Sequence, residues 1–142
     1  MNAIFADTGY WIALLYPADA LHSLAQSLHR SFETQPFQIV TSEMVLTELI
    51  NFFSKRGRQL RQQSVAFVMQ IQQSPTVIVI PQATEQFKQA LQFYVQRNDK
   101  EWSLTDCNSF LIMQALGITE ALAHDRHFEQ AGFTVLLQAE SR

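Results

Sequence analysis

Four carboxylates in this chain sit where ordinary surface charge is not expected. Asp7 closes the apolar run Ile4-Phe5-Ala6 and precedes Thr8-Gly9. Glu48 interrupts Leu46-Thr47-Glu48-Leu49-Ile50. Asp106 lies in Ser103-Leu104-Thr105-Asp106-Cys107, and Asp125 in Leu122-Ala123-His124-Asp125-Arg126. Taken singly, each has a plain explanation as a turn former, a helix cap or a solvated helix residue. Taken together they point to a different chemistry. Carboxylates drawn from distant parts of a chain into one dry site repel one another unless a cation neutralises them. The set therefore suggests a metal-dependent enzyme.

The elements that must position these acids alternate along the chain. Asn2–Ala6 reads as a short buried strand, and a helical run over Tyr10–Tyr16 stops at Pro17. Leu21, Leu24, Ala25, Leu28 and Phe32 fall at helical spacing. Phe37–Val40 is a second strand, and Thr41 or Ser42 can cap the helix that carries Glu48 and ends near Gly57. A further helix follows over about Gln59–Gln72. Thr76–Ile80 is a β-branched strand closed by Pro81, and Phe87, Ala90, Leu91, Tyr94 and Val95 mark another amphipathic helix. Beyond the polar loop Asn98–Ser103, Thr105–Leu116 is helical with Gly117 as its stop. Glu120–Ala123 is a short strand, Arg126–Ala131 one or two helical turns, and Thr134–Leu137 a last strand.

This alternation calls for an α/β fold with a central parallel sheet of four to five strands and helices on both faces. Ligands of such sheets bind beyond the carboxyl ends of the strands, where the strand order reverses. Asp7 follows the first strand directly and Asp125 nearly follows the fourth. If those strands are neighbours, both carboxylates enter one crevice. Asp106 begins a helix, where the dipole favours its charge. Glu48 borders the apolar face of its helix, made by Leu46, Leu49, Ile50 and Phe53.

The bulk numbers narrow the class. The 142 residues are read as one domain, 1–142, large enough for a substantial core. With 47% hydrophobic and 16% charged residues the chain is not disordered. A lone cysteine, Cys107, excludes an internal disulfide framework and a cysteine-based zinc cage, and fits a reducing cytoplasm. No signal peptide or membrane-spanning run is expected. The net charge of −3 leaves nucleic-acid binding to a local basic patch.

At this point a family resemblance becomes visible. Phe5-Ala6-Asp7-Thr8-Gly9-Tyr10-Trp11, Thr47-Glu48-Leu49, Ser103-Leu104-Thr105-Asp106-Cys107, and Ala123-His124-Asp125-Arg126-His127-Phe128 with Gly132-Phe133 follow one another in order over nearly the whole chain. Each is weak alone; together they resemble a PIN domain, the fold of the VapC-type toxin ribonucleases of toxin–antitoxin pairs. The resemblance implies that Asp7, Glu48, Asp106 and Asp125 form the family's acidic quartet. It implies that Thr8 is the hydroxyl residue that follows the first acid, and that the activity is Mg²⁺- or Mn²⁺-dependent endonucleolytic cleavage of RNA. It further implies a homodimer and a cognate antitoxin as partners. One position departs from the pattern: the family often has Thr or Ser two residues before the last acid, and this chain has Ala123.

Ligand chemistry then divides the work. Mg²⁺ is usually held by one or two carboxylates with waters and substrate phosphate. Asp7 and Asp106 are assigned to the metal, with Glu48 and Asp125 acting directly or through water. Lys55, Arg56, Arg58 and Arg61 form the densest basic cluster; Lys55, Arg56 and Arg58, with Arg126, are candidates for RNA phosphates. His124 and His127 are read as surface or packing residues, because no further His or Cys stands at zinc-ligand spacing. Tyr10 and Trp11 are read as core or partner-facing. An aspartyl phosphatase would need a second Asp where Gly9 stands, and a dinucleotide site would need a glycine-rich first turn. The remaining rival is a catalytically silent PIN-fold module that binds RNA or protein.

Overall fold

The computed structural model describes residues 2–138. β1 (Asn2–Ala6), β2 (Phe37–Ser42), β3 (Val77–Ile80), β4 (Glu120–Leu122) and β5 (Thr134–Val135) pair in parallel in the order β3-β2-β1-β4-β5. A sheet covered on both faces needs strands that are apolar on both sides, and Ile4, Phe5, Ala6, Ile39 and Val40 are all buried. Between the strands run α1 (Thr8–Leu15), α2 (His22–Ser31), α3 (Glu43–Phe53), α4 (Arg58–Gln73), α5 (Thr84–Gln96), α6 (Leu104–Leu116) and α7 (Arg126–Gln130).

The strand order sets where the helices go. The chain steps from β1 to β2 to β3, then crosses back to β4 and β5 on the far side of β1. Right-handed crossovers therefore put α1–α4 on one face and α5–α7 on the other. The packing agrees: α1 lies against α2 and α3, and α3 against α4, while α5 lies against α6 and α6 against α7. The reversal falls between β1 and β4, where Ala6 is in register with Leu122. The amide of Asp7 continues the pairing by donating to the Leu122 carbonyl at 3.1 Å.

Two internal clusters hold this switch point. On one face, the Trp11 indole N–H donates to Thr41 Oγ1 at 3.1 Å, and the Thr41 hydroxyl donates to the Ala6 carbonyl at 2.9 Å. This buried chain ties α1 and β2 to the residue just before Asp7. On the other face, Phe128 of α7 packs edge-on to Phe110 of α6, with ring centroids 4.9 Å apart, and reaches Phe5 of β1 at 6.5 Å. Tyr10 and Trp11 are core residues, as is Phe53.

Some element ends differ from the sequence reading. The first helix begins at Thr8 rather than Tyr10, because Asp7 takes the extended N-cap conformation (φ −88°, ψ 168°) and the turn-like Thr8-Gly9 pair is absorbed into the helix. α5 begins at Thr84, before its first apolar position at Phe87. The last strand ends at Val135, yet the amides of Leu136 and Leu137 still donate to the carbonyls of Ala121 and Ala123, at 2.9 and 3.2 Å. Gly117 stops α6 in the left-handed conformation (φ 68°), where a side chain would be strained.

Candidate active site

The four acids meet in a crevice of about 750 Å³ at the carboxyl ends of β1 and β4, and all four line it. Each arrives from a different element. Asp7 is the N-cap residue of α1, but its side chain makes no capping bond, so its oxygens are left for the crevice. Glu48 comes from α3 and accepts a hydrogen bond from the Thr8 hydroxyl at 2.7 Å. Asp106 is the third residue of α6 in a reciprocal cap. The Ser103 hydroxyl accepts from the Asp106 amide, and Asp106 Oδ2 accepts from the Ser103 amide, both at 3.0 Å. Asp125 caps α7 by accepting from the His127 amide at 2.9 Å through Oδ1.

The electrostatics follow from this crowding. Burial pushes the Asp7 carboxyl from an ordinary 3.8 up to about 8. The Thr8 amide opposes the shift, and Asp106, Glu48 and Asp125 each add to it by repulsion. Asp106 is also raised, first by burial; the Ser103 amide and the His127 ring pull it back, and Asp125 pushes it up. Among the described residues, no Lys or Arg forms an ion pair with any of the four acids.

His127 belongs to this site, contrary to the surface or packing role read from sequence. Its Nδ1–H donates to Asp106 Oδ2 at 3.0 Å, and the same nitrogen lies 3.3 Å from Asp125 Oδ2. Asp106, Asp125 and His127 present ligand atoms within 4.8 Å of one another, close enough to share an ion. The available signal was the spacing Asp125-Arg126-His127 at a helix start, which puts the imidazole back over the capping acid. Ser103-Leu104-Thr105-Asp106 likewise has the capping-box spacing that seats Asp106. His124 also lines the crevice but is exposed, and its Nδ1–H donates to the Leu137 carbonyl at 2.9 Å.

The basic candidates separate. Arg126 lines the crevice, whereas Lys55, Arg56 and Arg58 do not. They are exposed at the α3–α4 junction, where Arg56 donates to the Phe52 carbonyl and stacks its guanidinium 3.6 Å from the Phe52 ring centre. Arg61 donates to the Ser54 carbonyl at 2.9 Å. Carbonyls at a helix C-terminus attract such cations, so part of this cluster is occupied with local structure.

Comparison with known proteins agrees with the geometry. The PIN domain family model matches residues 4–134. The chain is 33% identical over 132 residues to the 23S rRNA-specific endonuclease VapC20 of Mycobacterium tuberculosis, in strains CDC 1551 and H37Rv. The match covers 92% of this chain and 95% of that protein. The crystal structure of M. tuberculosis VapC20, described as a sarcin-ricin loop cleaving toxin, superposes with a TM-score of 0.82 at 32% identity. That superposition covers 94% of this chain and 98% of the other.

Proposed function

This chain belongs to the PIN domain family, and from that membership we propose that it is a metal-dependent endoribonuclease of the VapC toxin type. The observation that carries the proposal is the state of Asp7: a buried carboxylate pressed by three other acids, with no basic side chain paired to it among the described residues. That donor set fits a divalent cation. Carboxylate oxygens are hard ligands suited to Mg²⁺ or Mn²⁺, and the imidazole of His127, beside Asp106 and Asp125, is tolerated by Mn²⁺. A bound ion supplies positive charge that polarises the scissile phosphate and acidifies water.

The chain's own residues do the rest. Asp7 and Asp106 hold the ion, and Glu48 and Asp125 act on it directly or through water. Thr8 fixes which way Glu48 faces by donating to one of its oxygens, leaving the other to orient the attacking water. Arg126, on the crevice wall, takes a phosphate of the RNA strand and offsets the repulsion an acidic site exerts on a polyanion. RNA is the substrate class, and 23S rRNA, named for the M. tuberculosis relative, is the first target to test.

A toxin of this type works in the cytoplasm and is held in check by a cognate antitoxin. We also propose a homodimer contact; Tyr10 and Trp11, read as core or partner-facing, are buried and do not supply it. Among the described residues, α5 exposes the longest apolar stripe, Phe87, Leu91, Tyr94 and Val95, beside a shorter pair, Val65 and Met69, on α4. Light scattering at several concentrations tests it. Leu91→Arg should convert a dimer into a 16.3 kDa monomer, and a wild-type monomer at every concentration removes the dimer.

The deciding experiment is cleavage of 23S rRNA and of a sarcin-ricin-loop oligonucleotide in Mg²⁺ or Mn²⁺, run beside Asp7→Asn. Cleavage by the wild-type protein alone supports the proposal. Equal behaviour of the two proteins, active or inactive, sinks it, and inactivity with retained RNA binding favours the silent module.

A further inference from the structure

We propose that His127 is a positioning residue of the nuclease centre, holding Asp106 and Asp125 in one arrangement so that they meet a cation as a preset pair. The proposal rests on the reading of the crevice as a metal-dependent site. Asp106 is seated on α6, and Asp125 on the turn that opens α7. Nothing within either element fixes one acid relative to the other, and two carboxylates side by side repel.

His127 supplies the link. Its backbone N–H holds Asp125 Oδ1 at 2.9 Å, while its ring Nδ1–H holds Asp106 Oδ2 at 3.0 Å and stays within 3.3 Å of Asp125 Oδ2. The backbone bond is an ordinary helix cap. The ring bond to Asp106 is not needed for capping, because α6 already has its own cap in Ser103. The ring is itself held in place: the next residue, Phe128, is fully buried against Phe5 and Phe110, so α7 cannot turn without disturbing the core. Groups that orient metal ligands in this way typically change metal affinity by about 10- to 100-fold when removed.

Two readouts test this on the full chain. The first uses metal-free protein and ¹⁵N-labelled histidine. His127 Nδ1 should carry the proton, and Asp106→Asn and Asp125→Asn should each shift its resonance. A ring protonated only on Nε2 overturns the proposal. The second is Mn²⁺ binding by calorimetry, with melting curves in EDTA to confirm folding. His127→Ala should weaken Mn²⁺ by about 10- to 100-fold. His127→Asn, whose amide nitrogen falls at the Nδ1 position, should recover to within about threefold of wild type, and His127→Gln should not. Unchanged or tighter binding by His127→Ala, or no recovery by His127→Asn, also overturns it. If the wild-type protein binds no Mn²⁺, the metal reading of the crevice fails, while the nitrogen resonances still decide the role of His127.

Discussion

The Thr8 hydroxyl donates to Glu48 Oε1 at 2.7 Å, joining the first turn of α1 to the middle of α3 across forty positions of sequence. Thr8 is buried and Glu48 half-buried at the crevice wall, so the bond is partly screened from competing water. Glu48 therefore faces the crevice in one orientation. Thr8→Val keeps the shape and removes the donor. It should lower RNA cleavage by about tenfold, while Thr8→Ser stays within about threefold of wild type. Single-turnover cleavage rates at saturating Mg²⁺ give the comparison, and equal rates for Thr8→Val and wild type would show that Glu48 needs no such hold.

Asp7 makes the metal-free protein sensitive to pH. Its carboxyl titrates near 3.8 in the unfolded chain and at about 8 in the fold. Between those values the folded state binds the extra proton, so stability falls as pH rises from about 4 to about 8. Asp7→Asn removes the ionisable group. In EDTA the variant should melt on the order of 5 °C above wild type at pH 8, with the gap closing toward pH 4. It should also lose on the order of 100-fold or more in cleavage. A variant that melts below wild type at pH 8 contradicts the burial and repulsion assigned to Asp7.

How much of this was legible in the sequence depends on what each feature needs. Asp7 and Asp125 were readable because a strand end is marked locally, by an apolar run that stops at Asp7 itself and one residue short of Asp125. The parallel sheet followed from the alternation of runs, and its order β3-β2-β1-β4-β5 makes the two strand ends neighbours. Glu48 and Asp106 needed the family pattern, since an acid in a helix looks the same whether it faces water or a crevice. His127 escaped because its role depends on Asp106, which lies in another element and comes within 3.0 Å only after folding. The local contacts of Arg56 were hidden for the same reason: charge density is visible in a sequence, but the Phe52 ring and carbonyl that Arg56 meets are not.

The cations should therefore split into two kinds. Arg126→Ala should raise KM for RNA on the order of fivefold with little change in kcat, and reduce the slope of log affinity against log salt by about one. Arg56→Ala should leave KM unchanged and cost about 1 kcal/mol of stability, through the lost stacking and the uncovered end of α3. KM measured across a salt series, beside urea melts, separates them. A larger KM effect from Arg56→Ala than from Arg126→Ala would move the RNA path to the α3–α4 junction.

Ser103 offers a way to separate the stability of α6 from the chemistry of Asp106. Its hydroxyl accepts from the Asp106 amide, whereas its own amide donates to the Asp106 carboxylate. Ser103→Ala removes only the first of these. The helix loses its cap, which costs about 1 kcal/mol, or roughly 3 °C in melting temperature for a chain of this size. The carboxylate keeps its backbone donor and its bond to His127, so it stays seated. Cleavage at 25 °C should then change by less than about twofold, because only the helix end has been weakened. A loss of Mn²⁺ affinity as large as that of His127→Ala would mean instead that the hydroxyl, through the helix end, sets where Asp106 points.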